Sequence, residues 1–123
     1  AAILAGVRDV RHDLADVHEA TSRAHAIRDA LRMAGPADTV IATALARDLA
    51  ARRRDCVVAP ALAITASGEH QGFAGTLSIG NEATTAVLVE LTRSAEWASG
   101  VVFVNGHGGN IVAMNRAIEV LEL

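Results

Sequence analysis

Four β-favouring apolar residues, Val101, Val102, Phe103 and Val104, end at Asn105-Gly106-His107-Gly108-Gly109-Asn110. Few patterns constrain a fold more tightly. An apolar run this short, closed by a glycine-rich turn, reads as a fully buried strand. The apolar residues resuming at Ile111 predict a helix. Strand, glycine turn and helix in this order belong in an open α/β sheet, where ligands bind beyond the carboxyl ends of the strands. His107 would stand there. The glycines around it allow close approach of backbone to a ligand, and positive φ where a turn needs it. Asn110 suits the cap of the following helix. The imidazole has three open uses: metal ligand, base, or a hydrogen bond within the fold.

The rest of the chain agrees with an α/β reading. Residues 1–5 are apolar and predict a first strand. From Val7 the pattern changes. Val7, Val10, Leu14, Val17, Ala20, Ala24, Ile27 and Leu31 recur at three- and four-residue steps. Charged residues fill the other side, so an amphipathic helix is expected over 7–33, stopped by Gly35 and Pro36. His12, His18 and His25 fall on its solvated face. Asp38 and Thr39 open a second helix as N-cap residues. Its apolar face uses Ile41, Leu45, Leu49 and the alanines between them, and Arg52, Arg53 and Arg54 complement the dipole at its end. Cys56 to Ala59 predicts a strand ended by Pro60. A long polar loop, 61–80, carries Glu69 and His70 side by side; a loop of that length in a compact domain is usually functional. Asn81 and Glu82 start a helix with Ala83, Val87, Leu88, Leu91 and Ala95 inward and Trp97 packed on the sheet. Alternation of strand and helix predicts a parallel sheet with helical crossovers.

Composition matters mainly for what it excludes. With 123 residues the chain is one domain or part of one, and 51% hydrophobic residues make it globular. A net charge of -3, no Tyr, two Phe and one Trp give no basic or aromatic surface for nucleic acid. No apolar run reaches membrane-spanning length. Cys56 is the single cysteine, so no internal disulfide framework exists and a reducing, cytoplasmic setting is expected. Cys56 itself reads as a small core residue. The absence of an initiating Met and the helix-like last residues suggest a chain cut at both ends.

Two blocks carry a resemblance. Ala66-Ser67-Gly68-Glu69-His70-Gln71-Gly72-Phe73-Ala74-Gly75-Thr76-Leu77-Ser78, followed by Asn105-Gly106-His107-Gly108-Gly109-Asn110, resembles the creatininase family of metal-dependent amidohydrolases. The spacing between the blocks also fits, and the likeness covers 38–123. It implies a layered α/β/α domain around a parallel sheet, here incomplete on its C-terminal side. It implies zinc, iron or manganese activating water against an amide bond. The branch most similar in wording removes a C-terminal Val-Tyr dipeptide from a modified precursor peptide. By the same resemblance Asp38 and His107 would be metal ligands. Glu69, His70, Asn105, Gly108, Gly109 and Asn110 would line the site for a small amide or peptide substrate. The family commonly assembles, so a homo-oligomer is also implied.

The likeness has two gaps. The family's first motif, roughly Gly-Ser-x-Glu-x-His-Gly-x-His-Leu-Pro, precedes the position of Asp38, and its Glu and first His bind metal. Counting back from Asp38 places Ile27 and Asp29 there, inside the expected helix. Segment 6–37 therefore stands as an atypical helical piece in place of the metal loop. Creatininase itself has a glutamate where Gly109 stands, and relatives of the Gly-Gly form draw a carboxylate from the second half of the domain. Two ligands are fewer than a catalytic zinc uses. The expectation is a creatininase-like hydrolase domain whose own activity is weak or absent. The alternative is a non-catalytic α/β binding module whose glycine turn cradles an anion with backbone N–H groups.

Overall fold

The computed structural model of the chain describes the backbone of residues 2–5 and, in full, residues 37–122. They form β1 (Ala2–Ala5), α1 (Ala37–Arg52), β2 (Val57–Ala59), α2 (Gly80–Ser94), β3 (Val101–Val104) and α3 (Ile111–Leu121). Short 3-10 turns stand at Gly68–His70 and Gly108–Asn110. The helix expected over 7–33, with its three histidines, lies outside the described residues.

Alanine spacing decides how α1 lies. Ala42, Ala46 and Leu49 fall at i, i+4 and i+7, and all three are buried. Small side chains on that stripe bring the helix close to the sheet, against Cys56, Val58, Val102 and Val104. Of the expected face, Leu49 and the alanines Ala42 and Ala46 are buried, while Ile41 and Leu45 are only half-buried. Asp38 is not a cap; it lies inside the first turn. Arg52 pairs with Asp48 one turn back at 3.1 Å, and Arg53 with Asp55 at 3.3 Å, so the arginine run is used locally.

Side chains alternate across a strand, and β3 uses both faces. Val102 and Val104 join the cluster under α1, whereas Phe103 joins Leu88, Val89, Ala117, Leu62, Met114 and Leu121 from the opposite side. The sheet thus has α1 on one face and the α2–α3 pair on the other. Only Val104 of β3 is fully buried, so the expectation of a wholly buried strand is too strong.

The α/β class holds, but strand direction needs correcting. The sheet order is β2-β1-β3. The middle strand runs antiparallel to both neighbours, with Ile3 opposite Ala59 and Phe103. β2 and β3 therefore point the same way, as the helical crossover through α2 requires. The parallel arrangement inferred for adjacent strands is absent among the described residues. Unbroken apolar runs carry no alternation to signal direction, which is why pairing sense is not legible in β1.

Two further expectations are overturned. The buried residues of α2 are Thr84, Leu88 and Val89, while Ala83 and Leu91 are exposed. Thr84 tolerates burial because its hydroxyl donates to the Gly80 carbonyl at 2.7 Å. Trp97 does not pack on the sheet; it is 71% exposed. Cys56 is half-buried, packed against the cluster under α1. Burial, and then the Asp55 carboxylate, push its pKa up, which favours the protonated thiol near neutral pH.

Candidate functional site

Three segments distant in sequence meet at the carboxyl end of β3. The first turn of α1 brings Asp38, the 3-10 turn Gly68–His70 brings Glu69 and His70, and the glycine turn brings His107. His107 Nδ1 lies 3.0 Å from Asp38 Oδ2, and its Nε2 lies 3.0 Å from Glu69 Oε1. The imidazole side chain is 17% exposed, against 52% for Asp38 and 44% for Glu69. A mostly covered ring thus stands between two wetter carboxylates. His70 Nε2 is 3.8 Å from Glu69 Oε1, and the two histidine rings are 6.0 Å apart. Phe73 meets His70 edge-on at 6.0 Å. Asp38, His70, Phe73 and His107 border an open cleft of about 510 Å³, whose apolar wall includes Leu62 and Leu77.

Two asparagines hold the turn in shape. Asn105 Nδ2 donates to the His107 carbonyl at 2.8 Å, and the His107 N–H donates to Asn105 Oδ1 at 3.3 Å. Asn110 Nδ2 donates to the same Oδ1 at 3.0 Å, and Asn110 Oδ1 accepts from the Ala66 N–H at 3.2 Å. Asn110 is 2% exposed and makes no side-chain cap on α3, contrary to expectation. Its amide ties the glycine turn to the Glu69 loop. That loop is closed at its base: the Ile79 N–H donates to the Thr65 carbonyl at 3.1 Å, and the Ser67 N–H to Ser78 Oγ at 2.9 Å.

The glycines serve close approach and not unusual φ. Among the described glycines, positive φ occurs at Gly75 and Gly80, outside the turn. A Cβ on Gly106 would lie 2.6 Å from the Asp38 carbonyl oxygen. Backbone cannot swing aside as a side chain can, so α1 and the turn would have to part. Gly106→Ala is expected to lower stability by about 1–3 kcal/mol, read as a lower denaturant midpoint at unchanged slope.

The geometry brings together Asp38, Glu69, His70 and His107. Asn105 and Asn110 sit beside them with amides engaged inside the protein, Gly109 lies beneath Glu69, and Gly108 faces open space. Ser67 escaped the sequence reading; its hydroxyl is 3.3 Å from His107 Nε2. A lone serine in a polar loop has no pattern to mark it, although it falls within the block that carries the family likeness.

The family model described as Creatininase, creatinine amidohydrolase, matches residues 33–123, most of the chain. This chain belongs to the creatininase family. Among curated proteins it is similar to the mycofactocin precursor peptide peptidase of Mycobacterium tuberculosis strain H37Rv, 54% identical over 94 residues, covering 68% of this chain and 38% of that protein. The protein of the same name from Mycolicibacterium smegmatis is 52% identical over 90 residues, with 68% and 36% covered. That from Mycobacterium ulcerans is 50% identical over 93 residues, with 68% and 37% covered. This creatininase-family chain thus spans less than two fifths of the length of these relatives. No solved structure gives a significant match.

Family membership implies a divalent metal, and the residues can be tested against one. Catalytic zinc takes three protein ligands and a water. Asp38 and Glu69 approach His107 from its two different ring nitrogens, so the carboxylates flank the ring and do not converge on one point. Among the described residues no group of three or more His, Cys, Asp or Glu is placed to hold a metal ion. The described residues alone therefore do not fit a complete catalytic centre. Nor is any described helix long and apolar enough to cross a membrane.

Proposed function

We propose that this chain forms part of a metal-dependent amidohydrolase of the creatininase family that acts on a peptide. The observation that carries the reading is the contact of Asp38 with His107, 69 residues apart, at the mouth of a substrate-sized cleft. Support for a peptide substrate comes from the relatives, whose name specifies the mycofactocin precursor peptide. Release of a C-terminal Val-Tyr dipeptide is the finer form of the reading. The sheet with helices on both faces would then be one portion of the family's layered α/β/α domain, and the exposed Trp97 and Ile111 would suit burial between copies in an oligomer.

In this reading Asp38 and His107 are the metal-binding residues that the chain offers, zinc, iron or manganese being the candidate ions, and Glu69 and His70 face the substrate. Two donors fall short of a catalytic centre, so hydrolysis by this chain alone is weak or absent. Metal analysis after dialysis against zinc, iron(II) and manganese(II) in turn tests it. Bound metal well below one ion per chain is expected. One tightly held ion, lost in His107→Ala, would overturn the inactive reading while keeping the family site.

The alternative of an anion-binding module finds less support. An anion brought to the glycine turn would meet the Glu69 carboxylate over Gly109, with Asp38 on the other side of the ring. Like charges so close oppose binding.

A further inference from the structure

The space above Gly109 is where the site is tightest. A Cβ built there would run into Glu69 Oε1, and would lie 2.6 Å from His107 Nε2 and 2.7 Å from the Ala66 carbonyl oxygen. Gly108, its neighbour, has nothing within 4 Å of the same position. The two glycines are therefore not equivalent. Position 108 has room for a side chain; position 109 lacks one, and the Glu69 carboxylate fills the space.

From this geometry we propose that Glu69 is a positioning residue for His107, seated by the missing side chain of Gly109. Glu69 Oε1 flanks the Nε2 side of the imidazole as Asp38 Oδ2 flanks the Nδ1 side, at 3.0 Å each, and both carboxylates accept at once when both ring nitrogens carry a proton. An imidazole held at one nitrogen can still turn about that bond, whereas one held at both has a single ring orientation. His70, 3.8 Å from the same Glu69 oxygen, and Ser67 Oγ, 3.3 Å from Nε2, close the polar ring around the contact. Asp38 is the one charged carboxylate among the described residues lining this cleft, and no Arg or Lys lines it. The carboxylate comes from the loop closed at Thr65 and Ile79, so the orientation of His107 depends on where that loop sits. Glu69 is then a link between the loop and the imidazole, and the inference goes beyond the peptidase reading without depending on it.

The test is long-range ¹H–¹⁵N spectroscopy of the His107 imidazole in the full chain. Wild type should show Nε2 in a hydrogen-bonded state. Glu69→Ala and Gly109→Ala should both move the Nε2 resonance, and should leave the backbone spectrum of α3 in place as a check on folding. Glu69→Gln, which keeps an acceptor oxygen, should restore part of the shift. An Nε2 resonance unchanged in Glu69→Ala, or unchanged in a folded Gly109→Ala, would overturn the proposal. A second reading covers the case in which Gly109→Ala folds poorly. In a double-mutant cycle by chemical denaturation, the loss caused by Gly109→Ala should be about fivefold smaller in folding equilibrium constant when Glu69 is already Ala. Additive losses would mean that His107 and the Ala66 carbonyl exclude a side chain at 109 without Glu69, and the proposal would fall.

Discussion

Asn110→Ala is expected to destabilise the chain by about 2–4 kcal/mol, with the denaturant midpoint lowered and the slope unchanged. The side chain is 2% exposed and joins two segments, accepting from the Ala66 N–H and donating to Asn105 Oδ1. Truncation strands the Ala66 donor in a place that is itself 2% exposed. The cost of an orphaned buried donor exceeds the net value of the bond, because the group has been stripped of water with nothing in return. Asn110→Asp should do little better: it keeps the acceptor for Ala66, yet places a buried charge against Asn105 Oδ1. A loss below about 0.5 kcal/mol for Asn110→Ala would show that water replaces the amide, and would remove the argument that Asn110 joins loop to turn.

Leu49→Ala should cost about 2–5 kcal/mol, the range for a large buried side chain cut back to a cavity. Leu49 is 2% exposed and packs with Ala42, Ala46 and Val104, where α1 meets the sheet. The buried residues beside it on the helix, Ala42 and Ala46, cannot grow into the gap, so the upper part of the range is expected. Val57→Ala provides the contrast. Val57 is 58% exposed at the start of β2, and its loss should stay within about 0.5 kcal/mol. Comparable losses at the two positions would contradict the placement of α1. Because α1 carries Asp38, Leu49→Ala should also loosen the Asp38–His107 contact, visible at the Nδ1 resonance of His107.

The sequence exposes some of this structure and hides the rest for physical reasons. The end of β3 and the start of α3 at Ile111 were legible because glycine and asparagine interrupt an apolar run sharply. The family likeness brought Asp38 and His107 into one site, and the structure places them in contact, while a metal-binding role for either remains within the proposal. The inward face of α2 was not legible, because Thr84 hides its hydroxyl on its own helix while Leu91 lies outside. The use of Asn110 also escaped notice. Its place before a helix suggested a cap, and only the fold shows Ala66 within reach. Long-range hydrogen bonds to backbone leave no periodic trace. Pairing direction in β1 escaped for the same reason, since four apolar residues look alike from either end.

The long sequence separation within the site has a kinetic consequence. Closing a flexible loop of the 69 residues between Asp38 and His107 costs on the order of 4 kcal/mol of chain entropy beyond a constant term. The Ala66–Asn110 bond spans 44 residues and overlaps that larger closure, and Ser67 and His107 stand 40 apart within it. Once α2 and α3 have docked, these inner contacts require little further ordering, whereas the link to α1 still does. Assembly then has a natural sequence, with Glu69 meeting His107 as part of the α2–α3 unit and Asp38 arriving last. Unfolding would run in reverse, and Asp38 would be the first of the four polar groups to leave.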